Sequence, residues 1–107
     1  MALSPVDASA VAIVLIDAEN VRRSTWPNIP KDELEPRCAA WAKLHGHDVR
    51  VIWESGETAD DRIAQEVREL EAPVWVVTSD RALRERVEAH VDRILGGGSF
   101  ARELLAA

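Results

Sequence analysis

Acidic residues recur at three points of this 107-residue chain where a fold could bring them together. Asp17 ends an apolar run over residues 11–16, and Asp80 closely follows a second apolar run over residues 74–77. Between them lies the segment 57–61, with the sequence E-T-A-D-D. Acids at the carboxyl ends of parallel strands lie on the edge where open α/β sheets bind ligands. Several carboxylates with no lysine among them indicate a divalent cation, Mg²⁺ or Mn²⁺, and phosphate chemistry.

Each of these acids also has an ordinary structural role, which the sequence leaves open. Asp17 could stabilise the turn after its strand, and Asp80 could be only a helix N-cap. Asp60 and Asp61 could simply favour the positive end of a helix. Two like charges ~4 Å apart repel by about 4 kcal/mol at an effective dielectric of about 20. Carboxylates that come together in one site therefore need protons, arginines or a metal to compensate their charge. The arginines that could compensate structurally are Arg22, Arg23, Arg62 and Arg81.

Strands and helices alternate along the part of the chain that carries the acids. Apolar residues on both faces predict buried strands at 11–16 and 74–78, whereas the strands at 48–53 and 93–95 should be outer. Residues 18–30 predict a loop with room for one helical turn. Helices are predicted at about 31–45, 59–71, 80–90 and 100–106, with caps at Thr58, at Ser79 or Asp80, and at Ser99.

This alternation predicts an α/β fold with a parallel, doubly wound sheet and helices on both faces. The two most apolar strands, the first and the third, should be central neighbours, which gives the strand order 2-1-3-4. The switch point then falls between these two strands, beside Asp17 and Asp80. The 57–61 turn follows the strand next to Asp17 and can lean over the same crevice.

Composition sets limits on the class of protein. The length fits one domain over residues 11–107, and residues 1–10 are predicted to be a short mobile lead-in without signal-peptide character. The net charge of −6 argues against a broad electrostatic nucleic-acid surface, although a local basic rim is compatible with it. Cys38 is the one cysteine, which favours a reducing cytoplasm. No apolar run approaches ~18 residues, so no membrane span is predicted.

The acidic motifs together resemble those of a known family. Residues 14–20, V-L-I-D-A-E-N, resemble the opening strand and asparagine of NYN domains. The E-T-A-D-D segment with Ile63, and residues 76–81, V-V-T-S-D-R, resemble two blocks of the YacP-like NYN group. Residues 99–104 resemble its closing helix, so the resemblance covers about residues 11–106. NYN domains belong to the PIN-like ribonuclease superfamily.

The resemblance implies a three-layer α/β/α PIN-like fold and a Mg²⁺- or Mn²⁺-dependent endoribonuclease acting on RNA. The metal-binding and catalytic carboxylates that it implies are Asp17, Asp60, Asp61 and Asp80. Asn20 and Thr78 or Ser79 would then orient ligands or the scissile phosphate. Arginines near the site could hold flanking phosphates, or they could be solvated surface residues; they are Arg22, Arg23, Arg81 and Arg84. Trp26, in the polar loop after Asp17, could stack on a base or anchor the loop in the core.

Other functions remain open at this point. Residues 49–54 run almost directly into the acidic block, whereas YacP-like members have more sequence there. A domain shortened in this way could bind RNA or a protein partner without cutting, and a bare sheet edge could be covered in a homodimer. A phospho-acceptor receiver domain is the poorest fit, because it needs an acid pair after the first strand and a late lysine. No lysine follows Lys43.

Overall fold

A parallel sheet in the order β2-β1-β3-β4 organises the residues that the computed structural model describes, 11–106 without 56, 57 and 72. The strands are β1 (Ile13–Asp17), β2 (Asp48–Ile52), β3 (Val74–Val77) and β4 (Arg93–Leu95). All three neighbouring pairs run parallel. The predicted fold class and strand order are therefore confirmed. The predicted lead-in over residues 1–10 and Glu57, the first residue of the E-T-A-D-D segment, lie outside the described residues.

Five α-helices within the described residues cover the two faces of the sheet. They are α1 (Ala18–Arg22), α2 (Lys31–His45), α3 (Ala59–Glu69), α4 (Arg81–Val87) and α5 (Gly97–Ala106), and a 3₁₀ turn, Glu88–His90, extends α4. None of them is long and apolar enough to cross a membrane.

Alternate residues of β1 point into two separate cores, which produces the three layers. Val14 and Ile16 pack with α1, α2 and α5 on one face, whereas Leu15 packs with α3 and α4 on the other. All three side chains are fully buried. A strand covered on both faces needs an apolar residue at every position, which is why β1 is a continuous apolar run.

Short polar signals in the sequence set the starts of the helices beside the acids. The Thr58 side chain accepts a hydrogen bond from the Asp61 N–H at 3.1 Å, and the Asp80 carboxylate accepts one from the Leu83 N–H at 3.0 Å. Each contact satisfies an N–H group that has no partner within the helix. Both caps therefore agree with the prediction, and acids lie at both helix starts: Asp60 and Asp61 in the first turn of α3, and Asp80 as the N-cap of α4.

The sequence prediction fails at two helix starts. Residues 18–22 form α1 directly after β1, where a loop with a single turn after Asn20 was expected. The last helix begins at Gly97, so Ser99 lies inside α5 and is not its N-cap. The Gly97 N–H donates a hydrogen bond to Ser79 Oγ at 2.8 Å, which stabilises the start of the helix at this residue. The low helix propensity of glycine does not predict a start there.

Candidate active site

An open cavity of about 710 Å³ lies where β1 and β3 end. Residues from five segments of the chain line it, and six of them are acidic. The lining residues are Asp17, Glu19, Asn20, Arg23, Ser24, Glu54, Thr58, Asp60, Asp61, Asp80 and Arg86. The four aspartates predicted as catalytic thus all line this cavity. Its position at a strand-order switch point is the usual place for a ligand in an open α/β sheet.

Asp17 and Asp80 are connected through Thr78. Asp17 is only 5% exposed, and the Thr78 hydroxyl, which is fully buried, donates to Asp17 Oδ2 at 3.0 Å. The backbone N–H of Asp80 donates in turn to Thr78 Oγ1 at 3.1 Å. Ile16 is the register partner of Val77, so the next residues, Asp17 and Thr78, face each other across the strand ends. The parallel register is therefore what brings the two acids together.

The cavity raises the pKa of its deepest carboxyl group. The pKa of Asp17 is raised to about 6, mainly by burial and also by the charges of Asp60 and Asp80, whereas hydrogen bonds from Thr78 and Asn20 lower it. Burial also raises the pKa of Asp60, followed by the charges of Asp80 and Glu54. Carboxylates that lie this close resist ionising together, which is typical of functional sites but also of some structural clusters.

Asp61 lies in a different environment from its neighbour Asp60. Its Oδ1 accepts a hydrogen bond from Arg86 Nη1 at 3.0 Å, and its side chain is 60% exposed. The hydrogen bonds from Arg86 and Thr58 lower the pKa of Asp61. The two helix-head acids are therefore not equivalent: Asp60 interacts with the other carboxylates, whereas Asp61 forms an ion pair with α4.

Asn20 fixes the loop that carries Thr78 and Asp80. Its Oδ1 accepts a hydrogen bond from the Ser79 N–H at 2.9 Å, and Ser79 Oγ accepts one from the Gly97 N–H at 2.8 Å. A Cβ on Gly97 would overlap Asn20 Oδ1 and lie 3.1 Å from Ser24 Oγ. Position 97 therefore requires glycine, because the side chain of Asn20 passes directly over it.

The predicted arginines do not share one position. Arg23 lines the cavity, and its Nε lies 2.9 Å from Glu19 Oε1. Arg22 pairs with the same glutamate at 3.3 Å but does not line the cavity, and neither does Arg81 or Arg84. Thr78 and Ser79 also lie behind the lining residues and act through the contacts described above.

Three charged lining residues were missed by the sequence prediction. Glu54 follows β2 by two residues, and its Oε2 accepts a hydrogen bond from the Ala59 N–H at 3.3 Å. The rule that identified Asp17, an acid at the carboxyl end of a strand, would also have found Glu54. Glu19 follows β1 by two residues, so the same rule would have included it as well, whereas Arg86 carries no such signal because its placement depends on how α4 packs.

The carboxylates suit a hard cation by donor type and charge. Oxygen ligands from Asp17, Asp60 and Asp80 face one cavity, and their mutual repulsion would be relieved by positive charge. Within the described residues, no three Asp, Glu, His or Cys side chains lie close enough to hold a metal between them. Mg²⁺ is commonly bound through one or two carboxylates and several waters, so an open arrangement of this kind is compatible with it.

A three-layer α/β/α fold with acids at its switch point is thus the class that the structure defines. The chain is similar in structure to Rae1 (YacP) from Bacillus subtilis, whose crystal structure was determined for a tryptophan-to-leucine mutant. The TM-score is 0.76 at 20% sequence identity, over 90% of this chain and 76% of that one. This likeness confirms the resemblance to the YacP-like NYN group at the level of the fold. No family model and no curated protein matches the chain.

Proposed function

We propose that this protein is a metal-dependent endoribonuclease that hydrolyses RNA phosphodiester bonds in the acidic cavity. The observation that carries the proposal is that Asp17, Asp60 and Asp80, from three separate segments, line one cavity and repel one another there. The sequence motifs of the YacP-like group and the fold shared with Rae1 (YacP) support RNA as the substrate.

In this proposal Asp17, Asp60 and Asp80, with Asp61 close by, would hold Mg²⁺ or Mn²⁺ directly or through water molecules. The bound cation would supply polarisation of the phosphate and a lower pKa for a water molecule. Thr78 donates to Asp17 Oδ2 and accepts from the backbone N–H of Asp80, so it fixes the positions of the two acids relative to each other. Arg23, which lines the cavity, would bind a phosphate of the substrate in the same proposal. The Asp61–Arg86 pair keeps a second guanidinium beside the acids.

An RNA cleavage assay tests this function directly. The purified protein is incubated with single-stranded and structured RNA in Mn²⁺, and the rates of Asp17→Asn and Asp80→Asn are compared with that of the unmodified chain. Each variant is expected to lose about 100-fold or more in rate, because each removes a charged ligand of the proposed metal. Asp48→Asn is the matched control, since Asp48 is exposed at the start of β2 and does not line the cavity.

Equal cleavage by all four proteins would identify a contaminating nuclease and refute the assignment. A second candidate function is a domain that binds RNA or a protein partner without cutting. It is favoured by the finding that no three side chains of the described residues are arranged to hold a metal ion between them. RNA binding by the unmodified chain without cleavage in Mg²⁺ or Mn²⁺ would select this alternative.

A further inference from the structure

The loop between α1 and α2 is closed at its base and carries a tryptophan at its tip. The Ile29 N–H donates to the Arg22 carbonyl at 2.9 Å, and the Ser24 N–H donates to the Val21 carbonyl at 3.1 Å. The Ile29 side chain is only 2% exposed, so it anchors the far end of the loop in the core. Trp26, between these two fixed points, is 90% exposed.

Trp26 differs in this respect from the other tryptophans. Trp41 is buried against Phe100, and both Trp53 and Trp75 pack partly against the same core. A tryptophan that anchors its loop would be largely buried, so that interpretation of Trp26 is wrong and Ile29 has the anchoring role instead. The fold therefore holds a large aromatic ring in water without using it for packing.

Trp26 is close in sequence to two residues that line the acidic cavity. Arg23 and Ser24 both line the cavity, and Trp26 follows Ser24 by two residues. Two trans peptide links span at most about 7.6 Å between Cα atoms, so the base of the indole side chain is near the cavity rim. A ligand that enters the cavity from this side would pass the ring.

We propose that Trp26 stacks on a base of single-stranded RNA next to the nucleotide held in the acidic cavity. This inference rests on the proposed function of that cavity. The net charge of −6 and the cavity acids repel phosphates, which favours contacts that do not depend on charge as a source of affinity. Base stacking on an aromatic side chain is such a contact, and it requires a base that is not already stacked in a duplex.

Binding of a short single-stranded RNA, measured by fluorescence anisotropy, tests the inference. All proteins carry Asp80→Asn, which is expected to prevent cleavage during the measurement. Adding Trp26→Ala should raise Kd by about 5- to 100-fold, and Trp26→Phe should stay within about threefold, since phenylalanine keeps an aromatic face. Leu105→Ala is the matched control, because Leu105 is also exposed but lies in the last helix. Equal Kd values for Trp26→Ala and its parent would overturn the inference.

Single abasic nucleotides placed along the oligonucleotide identify the stacked base. The parent should lose affinity at one abasic position, and Trp26→Ala should be insensitive to that position. Identical losses in the two proteins would overturn stacking. Circular dichroism checks that each variant folds, and should Trp26→Ala fail to fold, Trp26→Leu replaces it, since leucine is apolar but has no aromatic face.

Parallel cleavage assays separate the failure of this inference from the failure of the ribonuclease proposal. Unchanged cleavage and KM in Trp26→Ala on an otherwise native chain would overturn only the stacking contact, and would assign the ring to another surface such as a protein interface. Absence of cleavage in the native chain, with RNA binding that still depends on Trp26, would overturn only the ribonuclease proposal. Absence of any RNA binding would overturn both.

Discussion

The hydroxyl group of Thr78 donates a hydrogen bond to Asp17 Oδ2 at 3.0 Å, and both groups are buried between adjacent strand ends. The hydroxyl oxygen of Thr78 also accepts a hydrogen bond from the backbone N–H of Asp80 at 3.1 Å. Thr78 therefore satisfies two polar groups of the acidic cavity without lining it. A buried carboxylate that loses its donor is destabilised by its own desolvation, so this contact links the stability of the fold to the geometry of the site.

Replacing Thr78 by valine should destabilise the protein by about 1–3 kcal/mol, because the shape is kept while two polar groups lose their partner. The measurement is urea denaturation near pH 7.5. Thr78→Ser is the control, since it keeps the hydroxyl group and removes only a methyl group. If valine and serine lowered the midpoint equally, the loss would come from packing and not from the hydrogen bonds.

Asp17→Asn should stabilise the metal-free protein above pH 6. The folded state holds a proton on Asp17 up to about pH 6, whereas the unfolded chain releases it near 3.8, so stability falls as the pH rises through that window. The full difference corresponds to about 3 kcal/mol. Asparagine avoids this loss and can still accept the hydrogen bond from Thr78.

Thermal unfolding in EDTA at pH 4 and pH 8 measures this effect. The gain of Asp17→Asn over the native chain should be present at pH 8 and largely absent at pH 4. Asp61→Asn is the contrasting variant, because ion pairing with Arg86 lowers the pKa of Asp61 and its loss should slightly destabilise the protein at pH 8. If Asp17→Asn were less stable than the native chain at pH 8, burial would not be destabilising the charged form of this carboxyl group.

Gly97→Ala should disrupt the contacts around Asn20. The added Cβ would overlap Asn20 Oδ1, which holds the Ser79 backbone, so the loop bearing Thr78 and Asp80 must shift. We expect a loss of about 1–3 kcal/mol in stability together with lower cleavage activity. Gly98→Ala is the matched control, because its Cβ would meet only Arg102 Nη1 at 3.5 Å, an ordinary contact. Equal effects of the two substitutions would point to helix propensity instead of the Asn20 contact.

The sheet and its deepest acids could be predicted because both depend on local pattern and a general rule of topology. Two strands with apolar residues at every position had to be central, and parallel register then placed Asp17 opposite Thr78. Acids at strand ends followed without any knowledge of packing. Glu54 was within reach of the same rule.

The missed features depend on the packing of distant helices. Asp61 and Arg86 are 25 residues apart, and no spacing in the sequence shows that α3 and α4 bring them together. The need for glycine at position 97 was missed as well, because it arises only when Asn20 is placed over it. Close approaches between segments far apart in the chain have no local signature.

Addition of Mn²⁺ should stabilise the protein if the acidic cavity binds the cation. A ligand bound only by the folded state adds about 2.7 kcal/mol at 100 times its Kd, which thermal unfolding detects easily. The shift should be larger at pH 7.5 than at pH 5, because a proton on Asp17 competes with the cation below about pH 6.

Asp17→Asn and Asp60→Asn should each reduce this Mn²⁺-dependent shift, and EDTA should reverse it in the native chain. Asp48→Asn again serves as the control, since it removes one negative charge from a surface outside the cavity. This control is needed because any acidic protein attracts divalent cations weakly. If the cation binds to specific carboxylates, Asp17→Asn should reduce the shift and Asp48→Asn should not. A shift that all three variants retain would place the cation elsewhere and remove the metal from the proposed mechanism.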